Sequence, residues 1–145
     1  MSRAPALPRY LPCPCRSEEA DPPAYTACCQ IWHNGLAAGV DAGKHAPTAE
    51  ALMRSRYSAY SVGLIHYLLA TWYPETAPGE LELSPIKWTG LEVLHAEETG
   101  DAGVVEFIAR FKVNGRAQKM HEISRFVRQA GRWYYIDGQM MPDEK

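Results

Sequence analysis

What the sequence lacks narrows its class first. No apolar stretch approaches the roughly 18–20 residues that a membrane-spanning helix needs. The longest, Val62 to Leu69, is interrupted by Gly63, His66 and Tyr67, so no membrane partner is expected. Charge of one sign is also scarce. Fifteen Lys and Arg against 17 Asp and Glu leave a net charge of -2, which argues against a polybasic surface, and no sequence-specific nucleic-acid partner is expected. Prolines break the stretch around Arg3 and Arg9 before any continuous apolar segment forms, so no secretory signal is expected and the reading is cytoplasmic. Cysteine is rare, with four in 145 residues. In a reducing compartment such thiols stay free unless a metal or a catalytic role claims them, and disulfides become the minority reading.

What is present is enough for one ordinary core. Hydrophobic residues make up 46% of the chain and charged residues 22%, the balance of a globular domain rather than a disordered one. Up to Gly43 the chain is rich in Pro, Ala, Gly and Cys without a sustained period, so this part reads as irregular structure in need of a staple. Ala46-Pro47-Thr48 then signals a helix start, with Thr48 as the cap and Glu50 in the first turn. The spacing predicts a helix from Thr48 to Tyr60, a break near Ser61 and Gly63, and a second helix to Trp72, ended by Pro74. Beyond Pro85 the period becomes two. Ile86–His95, Val104–Val113, Ala117–Arg128 and Arg132–Asp137 read as four strands, with hairpin turns at Asn114-Gly115 and Ala130-Gly131. Helices followed by paired strands define an α+β fold with the helices on one face of an antiparallel sheet. The division expected is a knuckle and linker over 1–43, an α+β domain over 44–140 and a tail over 141–145.

Cys13-Pro14-Cys15 and Cys28-Cys29 form two close pairs. Zinc takes four thiolates tetrahedrally at about 2.3 Å, and the count and clustering suit it, with Pro12, Pro14, Pro22 and Pro23 looping the backbone around the ion. Arg16 would offset part of the negative charge of such a centre. The competing readings are small buried apolar residues or a redox pair, and His33 is a possible substitute ligand.

These residues also carry a resemblance. Cys13, Cys15, Ser17, Tyr25 and Cys28-Cys29 resemble the SEC-C motif, the zinc knuckle found at the C-terminus of the translocation motor SecA. Pro47 to Ala51, LMRSRYSAY at 52–60, Tyr67-Leu68, Thr71-Trp72, Trp88 with Gly90-Leu91, HEISRF at 121–126 and GRWYYIDG at 131–138 are similar to the bacterial YchJ-like family. That family joins such a knuckle to a nuclear transport factor 2-like domain. The resemblance implies a curved sheet wrapped around two or three helices as a cone, with a cavity between them, and a bound zinc ion. It also implies a knuckle that contacts a protein or the ribosome.

Alternation places Glu122, Ser124 and Phe126 on one face of the third strand and His121, Ile123 and Arg125 on the other. Glu122 is therefore the candidate cavity carboxylate, with Arg54, Tyr57, Tyr60, Ser124, Phe126 and Tyr135 around it. Two readings follow. A general base or ligand-binding group would leave Glu122 unpaired in an apolar cavity, whereas a structural carboxylate would be paired with Arg54 or Arg56. The second, with a non-catalytic module acting through surface contacts, is the preferred expectation, and no catalytic residue is assigned. Glu106, Arg110 and Arg125 on the outer sheet face would support a homodimer, and a small molecule in the cavity is the alternative.

Overall fold

The computed structural model of the protein describes residues 11–35 and 45–141. The expected linker up to 43 and the tail fall largely outside these residues. The N-terminal segment loops back on itself: Pro12 bridges Ala24, and the Cys13 amide donates to the Pro23 carbonyl at 2.8 Å. Two 3-10 turns, Pro14–Arg16 and Tyr25–Ala27, carry the cysteines, and a short helix follows, α1 (Cys29–Gly35). Composition alone reads this region as wholly irregular. A seven-residue helix shows too little period to be seen in sequence and is held here by packing.

Helix α2 (Ala49–Val62) begins where the cap predicts. Thr48 Oγ1 accepts the Ala51 amide at 2.9 Å, and Glu98, arriving from the sheet, accepts the Ala49 amide at 2.8 Å. It ends on Gly63, whose φ of 82° supplies the left-handed cap. The second helix is shorter than expected, α3 (Ile65–Ala70). Residues 71–73 leave it to lie against the last strand, where the Tyr135 amide donates to the Thr71 carbonyl and the Tyr73 amide to the Tyr135 carbonyl. That pairing covers part of an otherwise open sheet edge.

The sheet is an antiparallel meander of β1 (Lys87–Thr99), β2 (Ala102–Val113), β3 (Arg116–Gln129) and β4 (Arg132–Met140), in that spatial order. The strands run longer than the sequence suggests. Thr99 pairs with Ala102 across a tight Gly100-Asp101 turn, a hairpin hidden because Glu97, Glu98 and Thr99 look like loop. Register shifts at Trp88/Gly90, Val93/His95 and Arg125/Phe126 mark bulges, the devices that bend a sheet. Val105, Phe107, Ala109, Phe126 and Trp133 face the helices and are buried. No helix among the described residues is long and apolar enough to cross a membrane.

The start of helix α2 packs closely on the sheet at Gly103. A Cβ there would lie 2.7 Å from the Ala49 Cβ and 3.1 Å from the Trp133 ring. Gly103→Ala is expected to lose about 1–3 kcal/mol, because neither the helix start nor the indole has room to yield. Urea unfolding with a midpoint equal to wild type would contradict this packing.

Candidate functional site

Four sulfurs converge beneath the N-terminal loop. The Sγ atoms of Cys13, Cys15, Cys28 and Cys29 all lie within 4.8 Å of one another. Cys15 is 3.7 Å from Cys28 and 3.6 Å from Cys29. A tetrahedron with 2.3 Å arms has edges of about 3.8 Å, so these separations are those of thiolates sharing one ion and far longer than a disulfide bond. Three of the cysteines are buried and Cys28 is half-buried. Hydrogen bonds from Cys15, Cys28 and Cys29 hold the Cys13 thiol well below its ordinary value, while bonding to Cys13 pushes Cys15 and Cys29 up. Four thiolates cannot coexist in this space without a cation to balance them. The donor set fits a soft or borderline tetrahedral metal ion.

Helix α2 forms the floor of this centre. Ser58 Oγ sits 3.5 Å from Cys13 Sγ and 3.3 Å from Cys29 Sγ, and Arg54 donates to the Cys15 carbonyl at 3.0 Å while pairing with Glu50 at 2.9 Å. Glu18 lies over Gly90, where a Cβ would collide with its carboxylate, and reaches Arg110 at 3.7 Å. Arg16 turns to Glu19 at 2.8 Å.

His33 is not placed as a substitute ligand, and both of its ring nitrogens are spent. Nε2 lies 2.8 Å from the Ser55 carbonyl, which only accepts, so Nε2 carries the proton; Nδ1 then accepts from the Tyr25 hydroxyl at 2.6 Å. The ring packs edge-on against Tyr67, whose hydroxyl meets Ser55 Oγ at 2.8 Å. Burial lowers the His33 pKa and keeps the ring neutral.

On its other side α2 borders a cavity of about 310 Å³ closed by the sheet. Tyr57, Tyr60, Glu122, Ser124, Phe126 and Tyr135 line it, as do Met53, Arg56, Trp88, Phe107, Ala109, Met120 and Met140. The expected salt bridge of Glu122 is absent among the described residues. Its Oε2 instead accepts from Ser124 Oγ at 2.5 Å and from the Tyr135 hydroxyl at 3.3 Å. Arg54 does not line the cavity, because a helix turns residues 54 and 56 to different sides and the knuckle takes Arg54. Arg56 is the cavity cation. Its NH1 donates to the Leu68 carbonyl at 2.7 Å and to Thr71 Oγ1 at 2.8 Å, and its guanidinium lies 4.6 Å from the Tyr135 ring centre and 4.9 Å from that of Trp72. Burial depresses the Arg56 pKa, and burial beside Glu122 raises that of the Tyr135 phenol. Gly138 makes room for the carboxylate: a Cβ on it would overlap Glu122 Oε2. Asp137-Gly138, read from sequence as a strand end, is thus inside β4 and beside the cavity.

The outer sheet face carries its own pairs: His121 with Glu106 at 2.7 Å, Arg110 with Glu92 at 3.3 Å, and Arg125 forked onto Asp137 with two 2.8 Å bonds. His121 points away from Glu122 and shares no site with it.

A helix-packed antiparallel sheet with a cavity, preceded by a four-cysteine knuckle, defines a nuclear transport factor 2-like domain with a SEC-C type motif. The family described as "YchJ, middle NTF2-like domain" matches residues 48–138, and the chain belongs to this YchJ family. It is 53% identical over 133 residues to a UPF0225 protein of Chromobacterium violaceum, covering 87% of this chain and 90% of that one. A UPF0225 protein of Bordetella parapertussis is 43% identical over 143 residues, covering 97% and 99%. Among solved structures, a SEC-C motif containing protein from Rhodopseudomonas palustris superposes with a TM-score of 0.70 at 33% identity, covering 91% of this chain and 100% of that one. One from Psychrobacter arcticus gives 0.72 at 30%, covering 94% and 86%.

His33→Ala is expected to leave metal content unchanged while costing about 1–3 kcal/mol, since it strands the buried Tyr25 hydroxyl and the Ser55 carbonyl. Metal analysis beside thermal unfolding checks both halves; a folded variant that has lost metal would make His33 a ligand after all.

Proposed function

We propose that the protein binds a small molecule in the cone, and that its knuckle is a structural zinc site held by Cys13, Cys15, Cys28 and Cys29. The observation that carries the first part is a pair of opposite charges on one cavity wall, Arg56 and Glu122, 5% and 8% exposed, neither of them in an ion pair with a described residue. Burying a charge without a counter-ion is costly, and a functional pocket is where such an arrangement is retained. An isomerase- or dehydratase-like reaction with Glu122 as the acid-base group would use the same pocket, with binding as its first step.

Zinc is favoured by four sulfur donors at tetrahedral spacing. With all four positions filled by protein there is no open position for a substrate, so the ion would supply rigidity and no chemistry. Chelation of the metal, or Cys28→Ser, is expected to lower the unfolding midpoint by about 5 °C or more, because metal binding and folding of the knuckle are one process. An unaltered midpoint after verified metal removal would refute the structural role.

The pocket is tested with Ala109→Leu, which fills space at a position 1% exposed on the cavity wall. Ligand-observed NMR with a fragment library should find mutually competitive binders of wild type that Ala109→Leu no longer retains. A library with no binders at millimolar concentration, or with equal binding to both proteins, defeats the pocket.

A second reading, contact with a protein or ribosomal surface through the knuckle, is supported by the exposed acids Glu18, Glu19 and Asp21 beside it, the first two of which also pair with Arg110 and Arg16. An acidic rim suits a basic protein face better than RNA. Co-sedimentation with ribosomes at low salt, compared between wild type and Cys28→Ser, tests that reading.

A further inference from the structure

The unspent atoms of Arg56 and Glu122 specify the kind of molecule the cavity accepts. Arg56 uses NH1 on Leu68 and Thr71, and its Nε and NH2 donate to no described residue. Glu122 uses Oε2 on Ser124 and Tyr135, and its Oε1 accepts from none. Neither set of atoms is sealed in the core. The one fully buried side-chain nitrogen or oxygen without a partner among the described residues is Trp72 Nε1. The free donors of Arg56 and the free acceptor of Glu122 therefore keep some accessible surface, and the cavity is the opening that both residues line. Tyr135 links them, with its ring against the guanidinium and its hydroxyl on the carboxylate, so the two face the cavity from neighbouring positions.

One buried cation and one buried anion leave the wall without net charge. A ligand of either sign would face a like charge as well as a partner, and a doubly ionised one would give up the hydration of both its ends in an otherwise apolar space. A neutral group with a donor beside an acceptor meets both unspent sets without that cost. The remaining surface is ring and thioether: Tyr57 and Trp88 meet edge to face at 5.6 Å, and Phe126 and Met120 continue the lining. Such walls hold a flat ring.

We propose that the pocket binds a flat, uncharged ring bearing a lactam edge, its N–H donated to Glu122 Oε1 and its C=O accepting from the free N–H groups of Arg56. The inference rests on the cavity being the working site. It goes further in naming the ligand's hydrogen-bonding pattern.

The test uses the full-length, metal-loaded protein and three probes in isothermal titration calorimetry. They are 2-quinolone, which has both groups; N-methyl-2-quinolone, which lacks the donor; and phenylalanine, a zwitterion with a ring. 2-Quinolone is expected to bind at least about ten-fold more tightly than its N-methyl analogue, the effect of one hydrogen bond to a charged group. In Glu122→Leu, with its fold checked by near-ultraviolet circular dichroism, that preference should vanish. Because the probe comparison needs no variant, it stands even if Glu122→Leu does not fold. Equal affinity for the two quinolones, tighter binding of phenylalanine, or no binding of either quinolone at low millimolar concentration overturns the proposal. N-methyl-2-quinolone bound as tightly as 2-quinolone, yet lost in Ala109→Leu, would sink the lactam edge and leave the pocket standing.

Discussion

Helix α2 is buried on two sides, and the rest of the structure is arranged around that constraint. A helix between two layers cannot leave polar side chains unpartnered, because no water reaches them. The arginines of α2 and its two buried serines accordingly each have partners in a neighbouring layer. Arg54 and Ser58 face the knuckle, where they meet the Cys15 carbonyl and the Cys13 and Cys29 sulfurs, and Ser55 meets the Tyr67 hydroxyl of α3. Arg56 faces the cone and is fixed by Leu68, Thr71 and two aromatic rings. The knuckle is thus joined to the domain through the helix that forms one wall of the pocket. A metal ion held by the four sulfurs would also order the surface on which α2 rests.

That arrangement explains which features were legible in the sequence. The meander was visible because period-two patterning and the Asn114-Gly115 turn are local signals, and the α2 start because a cap is written in adjacent residues. The convergence of four sulfurs could be anticipated from their pairing along the chain. The face of β3 that carries Glu122, Ser124 and Phe126 followed from alternation alone. What local patterns cannot carry is the choice between partners distant in sequence. Arg54 and Arg56 look interchangeable as partners for Glu122, yet a rotation of about 200° around the helix separates them, and the knuckle had claimed the first. His33 looks like a spare ligand until Tyr25 and Ser55, 8 and 22 residues away, are seen to occupy both its nitrogens. Gly138 looks like the end of a strand because its purpose lies in the carboxylate of another strand.

The buried charges of the cone raise the question of why they do not simply pair. Tyr135 stands between them. Its ring lies under the Arg56 guanidinium and its hydroxyl on Glu122 Oε2, so its stacking and its hydrogen bond hold both charges at once. On the far side, the missing side chain of Gly138 gives the Glu122 carboxylate a seat against β4, and Ser124 holds it there. Arg56 is anchored in the opposite sense by the Leu68 carbonyl at the end of α3. Collapse into a direct ion pair would require the carboxylate to leave two donors and the arginine to leave two acceptors. Each departure strands a buried group at a cost of about 1–3 kcal/mol, which matches or exceeds what a new buried pair returns after desolvation. The cavity therefore stays open for the same reason that it carries two charges: Arg56 and Glu122 are each bonded to the scaffold through one atom and free through another.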